Sequence, residues 1–79
     1  MMMKTGAVVK ATAGKECGRY FAVVKTEERF VFIADGRKRK LSSPKRKNPK
    51  HLGFTGNFIE INDITDKKLR NVLGNLGTP

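Results

Sequence analysis

Hydrophobic residues fall into three short runs in the first half of the chain, and each run predicts a strand. The runs at residues 5–12 and 19–24 are rich in β-branched and aromatic residues, and a loop containing Gly14 and Gly18 separates them. The run at residues 30–34 is continuously apolar, which is typical of a strand buried on both faces. All three runs are too short for stable helices, so the pattern predicts a β-rich N-terminal half.

The next part of the chain predicts a hairpin, a basic loop and a last strand. Asp35 and Gly36 form a strong turn signal of the type I′ kind, which predicts a returning strand over residues 37–41 along an exposed edge. Pro44 and Pro49 disfavour helix, so residues 42–51 are predicted to form a basic loop. Alternation returns at residues 54–61, where Gly56 predicts a bulge or bend in the last strand.

The C-terminal segment changes to a helical period. Four apolar residues, here called the helix stripe, have the i, i+3, i+4, i+7 spacing of one helix face: Leu69, Val72, Leu73 and Leu76. Thr65 is the predicted N-cap, Asp66 suits the first turn, and Gly77 is predicted to end the helix. We expect the stripe to close one end of the barrel that the strands form; the alternative is that it docks a protein partner.

Five short strands and a terminal helix predict a mostly β fold, built as a small curled sheet. Both an SH3-like and an OB-like barrel fit this count, and the short chain with its only helix at the end favours the SH3-like, five-stranded barrel. The prediction is a barrel over residues 1–62, with a basic loop at 37–51, and a C-terminal helix over residues 63–79 packed on it.

The charge of the chain points to a polyanionic partner. Seventeen Lys and Arg against seven Asp and Glu give a net charge of +10 on 79 residues. The basic segment, residues 37–51, holds eight of the seventeen cations and no acid. Arg and Lys are the usual phosphate ligands, and Asn48 and His51 add hydrogen-bonding groups. The predicted RNA contacts are Lys15, Arg19, Arg37, Lys38, Arg39, Lys40, Lys45, Arg46, Lys47, Asn48, Lys50 and His51.

Other classes of function lack the residues they require. One cysteine and one histidine are too few for a disulfide framework or a structural zinc site, and no apolar run reaches the length of a membrane span. His51 has no nucleophile beside it, and the loop at Gly14 lacks the Gly-Lys-Ser/Thr ending of a phosphate-binding P-loop. We therefore expect a cytoplasmic, non-enzymatic protein without a cofactor, in which Cys17 has no redox role.

The six aromatic residues are expected to fill the core of the small barrel, because the chain has no tryptophan and few large apolar residues. Tyr20 is the exception, since its hydroxyl also suits a wet edge. Stacking on unpaired bases is the alternative use of such rings. The sequence favours recognition of the shape and backbone of a folded RNA over stacking.

The first two strands and their loop resemble the KOW motif, a strand–loop–strand unit of several ribosomal proteins and transcription elongation factors. The residues that carry this resemblance are Gly6, Val8, Val9, Gly14, Gly18, Tyr20, Phe21, Val23 and Val24. The later part resembles bacterial KOW-domain RNA-binding proteins, which are similar to a group of large-subunit ribosomal proteins, through Ile33, Ala34, Asp35, Gly36, Arg37, Pro44, Lys45, Lys47, Asn48, Lys50 and His51. Together the matches cover roughly residues 5–62.

This resemblance implies an SH3-like KOW barrel whose loops contact RNA, commonly ribosomal RNA, with Gly14 and Gly18 shaping the KOW loop. Some KOW domains bind proteins of the transcription or translation machinery instead, so a protein-interaction module is the alternative. Binding of DNA is also allowed by the charge. We expect the free protein to be a monomer.

Overall fold

The structure is a computed structural model that describes residues 3–76 of the 79-residue chain. Its elements, in chain order, are β1 (Ala7–Ala11), β2 (Tyr20–Thr26), β3 (Val31–Ala34), β4 (Lys45–Lys47), a 3-10 turn (Pro49–His51), β5 (Leu52–Phe58) and α1 (Asp66–Leu76). The strands form one antiparallel sheet in the order β4-β3-β2-β1-β5. The predicted mostly β fold with five strands and a C-terminal helix is confirmed, and the barrel-like sheet stays open between its edge strands β4 and β5.

The predicted returning strand at residues 37–41 is wrong, and the fourth strand lies later in the chain. A type I′ turn requires positive φ at both central residues, but only Gly36 of the Asp35–Gly36 pair has it, at 79°. The Asp35 carboxylate instead accepts hydrogen bonds from the backbone N–H groups of Arg37 at 2.8 Å and Arg39 at 3.0 Å. These bonds curl the chain into a compact loop, and β4 forms within the segment predicted to be a loop.

The predicted glycine bulge in the last strand is confirmed. Gly56 has a φ of 88°, and the pairing of β5 with β1 shifts register between Ala7 and Val9. The Thr55 hydroxyl donates a 2.8 Å hydrogen bond to the Val8 carbonyl at this point. The strand ends at Phe58, three residues before the predicted end.

Both faces of the sheet bury apolar side chains, which is how a chain of this size obtains two small cores. The inner face carries Ala7, Val9, Ala11, Phe21, Val23, Val31, Ile33 and Leu52. The outer face carries Val8, Ala22 and Ala34, which pack against Leu69 and Leu73 of α1. Because β-strand side chains alternate between faces, neighbouring residues of β1 and β2 serve different cores.

Helix α1 begins where the sequence predicts. The Thr65 hydroxyl accepts a hydrogen bond from the Lys68 N–H at 3.1 Å, so the predicted N-cap is confirmed. Leu69 and Leu73 of the helix stripe are buried, Val72 is half-buried and Leu76 is exposed. The predicted stop at Gly77 lies outside the described residues. Within residues 3–76, no helix has the length and apolar character needed to cross a lipid bilayer.

Candidate nucleic-acid interface

The glycine loop, residues 12–19, connects β1 to β2 and projects cations from a tight backbone turn. Gly14 and Gly18 have φ values of 82° and 90°, a left-handed backbone conformation that glycine adopts without steric cost. The Gly18 N–H donates to the Ala11 carbonyl at 2.8 Å, which closes the base of the loop. Cys17 is an exposed free thiol. Lys15 and Arg19 are exposed on the same loop and available to a ligand.

Glu16 joins the glycine loop to the basic segment. Its carboxylate accepts hydrogen bonds from the Lys45 ammonium at 2.9 Å and the Arg39 guanidinium at 3.4 Å, and its side chain is 15% exposed. Partial burial raises the pKa of Glu16, but the bonds from Lys45 and Arg39 outweigh burial and hold this pKa below its ordinary value. The basic segment contains no acid of its own, so this partner could only be found from the tertiary structure.

Cations from three parts of the chain converge on one surface depression, here called the cationic groove. Its wall consists of Arg19 from the glycine loop, Arg37, Lys38 and Lys40 from the basic segment, and Arg70 from α1. No acidic residue is among these wall residues. An adjoining depression shares Arg19 and Lys38 and continues to Gly14, Lys15, Glu16, Arg39, Lys45 and Lys47. The two depressions form a continuous basic surface on which a phosphate backbone could lie.

Arg70 is a groove residue that the sequence analysis missed. It follows the buried Leu69 on α1, and its guanidinium donates a 3.5 Å hydrogen bond to the Gly36 carbonyl. Its position beside the buried face of an amphipathic helix was a usable signal, because such a residue borders whatever the helix packs on. Finding its partner required knowing where the basic segment lies.

The three cations of β4 do not share one face. Lys45 and Lys47 pair with Ile33 and Val31 on the inner side, whereas Arg46 pairs with Phe32 on the outer side. The Arg46 guanidinium lies 4.7 Å from the centre of the Phe30 ring. Arg46 is therefore separated from the two depressions, although the sequence analysis grouped it with the other cations of the basic segment.

The last predicted contacts lie in and before the 3-10 turn, away from the groove walls. The Asn48 side chain accepts a hydrogen bond from the Lys50 N–H at 3.0 Å, so it caps this turn. The His51 carbonyl accepts a 2.9 Å bond from the Thr12 N–H and ties the turn to the glycine loop. The side chains of Lys50 and His51 are exposed. Asn48 thus has a structural task that the sequence analysis did not assign.

The expectation that the aromatic residues fill the core holds for Phe21, which is fully buried, and is wrong for two others. Phe54 and Phe58 on the edge strand β5 are 42% and 57% exposed, with ring centres 5.1 Å apart. The Gly56 bulge between them breaks the alternation that would have predicted burial. Phe30 and Phe32 are half-buried, and Tyr20 is half-buried with the Lys10 ammonium 5.6 Å from its ring centre.

Residues 3–76 contain no group of three or more His, Cys, Asp and Glu side chains placed to hold a metal ion. A scan against models of known protein families finds no match for this chain, and a search of curated proteins finds no similar sequence. The chemistry of the cationic groove is therefore the basis on which a function is proposed.

Proposed function

We propose that this protein binds structured RNA, with the cationic groove as the main contact and ribosomal RNA as the expected partner. The observation that carries the proposal is the convergence of Arg19, Arg37, Lys38, Lys40 and Arg70 on one depression that has no acid in its wall. Five cations held close together repel one another, so a polyanion that neutralises them gains favourable electrostatic energy. The phosphates of a nucleic acid are the polyanion that this arrangement suits, and the resemblance to KOW proteins favours RNA.

The composition of the groove favours phosphate over other anions. Three of its five cations are arginines, whose planar guanidinium can donate two parallel hydrogen bonds to one phosphate. The glycine loop lies beside them, and its backbone can approach a ligand closely at Gly14 and Gly18. We infer that the groove binds the phosphates of the RNA backbone and recognises the shape of the folded RNA.

The ribosomal partner rests on the resemblance to KOW proteins. Under this proposal the glycine loop is a KOW loop, and the sheet with its helix is the barrel that presents it. Sedimentation of cell lysate through a sucrose gradient at low and high salt, with sequencing of crosslinked RNA, tests the assignment. Co-migration with the large ribosomal subunit and crosslinks at one site support it, whereas a protein that stays at the top of the gradient with scattered crosslinks contradicts it.

Two double variants of equal charge test the groove. Arg37→Gln with Arg70→Gln removes two groove cations, whereas Lys67→Gln with Lys68→Gln removes two exposed cations that are not among the groove residues. Both double variants have the same net charge. Fluorescence anisotropy with a labelled RNA hairpin should show at least about a tenfold loss for the first pair, since two charge-assisted contacts disappear, and little loss for the second. Equal losses would mean that only net charge matters and would contradict the groove.

A protein-interaction module is the second candidate function, and the exposed Phe54 and Phe58 on edge strand β5 favour it. The helix stripe supports it less, because Leu69 and Leu73 are already covered by the sheet. Substituting both phenylalanines by serine separates the functions. A folded double variant that keeps RNA affinity but loses association with other proteins would support the module, and unchanged association would contradict it.

A further inference from the structure

The outer face of the sheet is not wholly covered by α1. Beyond the helix-covered Ala34, strands β2, β3 and β4 present a row of alternating cationic and aromatic side chains. We call this row the outer strip; it consists of Lys25, Phe32, Arg46 and Phe30. Phe32 is the register partner of Lys25 on one side and of Arg46 on the other, so the three lie side by side on one face. The row crosses three strands and is distinct from the cationic groove.

The cations of the outer strip lie over its rings. The Lys25 ammonium is 5.4 Å from the centre of the Phe32 ring, and the Arg46 guanidinium is 4.7 Å from the centre of the Phe30 ring. Both rings are half-buried, while Lys25 and Arg46 are exposed. The ion pairs of the described residues involve only Glu16, Arg39 and Lys45, so neither strip cation is neutralised by a carboxylate. The strip therefore presents flat rings and unneutralised positive charge together.

We propose that the outer strip is a second RNA contact, which takes an unpaired base stacked on the Arg46 guanidinium and the adjoining rings. The proposal rests on the proposed function and adds a ligand class to it: an unpaired nucleotide that flanks the structured RNA held in the groove. Unpaired bases stack on aromatic rings and on arginine planes in RNA-binding proteins, and positive charge beside the rings holds the phosphates. This combination of groups is what distinguishes the strip from the uncharged edge strand β5.

Charge selects the occupant of the outer strip. A second copy of this chain carries a net charge of +10 and would be repelled, whereas a nucleic-acid strand is attracted. The turn that precedes Phe30 carries Glu27, Glu28 and Arg29, so its net charge is negative and it attracts phosphates less than the strip does. On the edge strand β4, Lys45 and Lys47 flank Arg46 and project from the opposite face of the sheet. A nucleic-acid strand that crosses the edge at β4 would therefore contact first the outer strip and then the depression that Lys45 and Lys47 line.

Three RNAs separate this proposal from the function on which it rests. They are a blunt hairpin, the same hairpin with a short single-stranded extension, and the extended hairpin with abasic sites in that extension. The wild-type protein should bind the extended hairpin about tenfold more tightly than its abasic form, which is the effect of one stacked base. Equal affinity for these two RNAs would overturn the inference, and failure to bind any of the three would instead overturn the proposed function.

Arg46→Lys tests the role of Arg46, because the substitution keeps the positive charge and removes the planar guanidinium on which the base would stack. We expect this variant to lose the preference for the base-containing extension and to bind the blunt hairpin as the wild type does. Arg37→Lys is the matched control in the groove and should retain the preference. An Arg46→Lys variant that keeps the preference, or that weakens equally on all three RNAs, would show that Arg46 contacts phosphates or nothing, and would overturn the inference. Thermal melts of both variants check that the fold is intact.

Discussion

Gly36 requires glycine for two reasons, its backbone conformation and the close packing of α1 against it. Its φ is positive, and a Cβ built there would collide with the Asp66 carbonyl at the start of α1 and lie 3.1 Å from the Arg70 N–H nitrogen. At Gly18 the φ is also positive, but a Cβ would meet no described atom within 4 Å. A substitution at either position therefore carries the energetic cost of a left-handed backbone, but only at Gly36 would the added Cβ also collide with other atoms.

Gly36→Ala should accordingly be more destabilising than Gly18→Ala. We expect about 1 kcal/mol of lost unfolding free energy at Gly18 from the left-handed conformation alone. At Gly36 an additional 1–3 kcal/mol, roughly, follows from displacing packed backbone. Urea denaturation of both variants measures the difference, and equal losses would contradict the close approach of the loop to α1.

Glu16 predicts a pH dependence of stability. Its folded-state pKa lies below the ordinary value of 4.5, so the folded protein binds this proton less readily than the unfolded chain. The stabilising contribution is therefore complete above that value and is lost as the pH falls through the lower, folded-state pKa.

A Glu16→Gln variant should be less stable than the wild type at pH 7, and this difference should shrink as the medium becomes more acidic than the ordinary carboxyl pKa. Thermal unfolding at a series of pH values measures it. The exposed Glu28 is the control, since Glu28→Gln removes the same charge without touching Lys45 or Arg39. A stability difference between Glu16→Gln and wild type that is independent of pH would contradict the ion pairs.

Residue roles could be predicted only where they depend on local chemistry. The bulge at Gly56 and the N-cap at Thr65 follow from short sequence patterns, and both are confirmed. The partners of Glu16 lie 23 and 29 residues away along the chain, so no local pattern could reveal them. The outward direction of Arg46 was missed for another reason, because β4 was not predicted to be a strand.

At the level of elements, strands with an apolar pattern were predictable and the cationic strand was not. β1, β2 and β3 contain most of the residues that fill the two cores, so burial itself constrains their sequences. β4 has three cationic residues and forms at a sheet edge, where β3 is its only strand neighbour. The Asp35–Gly36 turn signal predicted that the returning strand would follow at once, at residues 37–41. Instead, hydrogen bonds to the Asp35 side chain fold the chain into a loop before β4 begins.

Helix α1 is expected to be essential to the fold. Leu69 is fully buried against the outer face of the sheet, whereas Leu76 on the same helix is 38% exposed. Leu69→Ala should cost about 2–5 kcal/mol of unfolding free energy, and Leu76→Ala about 0.5 kcal/mol or less. Urea denaturation of the two variants compares the same substitution at two depths, and similar losses would contradict the packing of α1. Removing the whole helix would expose Val8, Ala22 and Ala34, so point variants are the cleaner probe of its surface.

At the scale of the whole molecule, the fold places cations that are distant in sequence on one surface. The glycine loop and the basic segment meet at Glu16, and α1 brings Arg70 to the same surface as Arg37. The excess charge was visible in the sequence, but its division between the cationic groove and the outer strip was not. That division depends on strand alternation in β4 and on the position of the helix.

The separation of the charge between the cationic groove and the outer strip predicts how the affinity for RNA depends on salt concentration. If about six cations engage RNA phosphates, the logarithm of the association constant should fall against the logarithm of salt concentration with a slope of roughly −4 to −5. Stacking releases no counterions, so the base-containing and abasic extensions should give parallel lines, offset by the contribution of the stacked base. Anisotropy titrations over a range of potassium chloride concentrations measure both quantities. A slope near −1 would contradict the groove as the main contact, and lines of different slope would mean that the base changes the number of phosphates held.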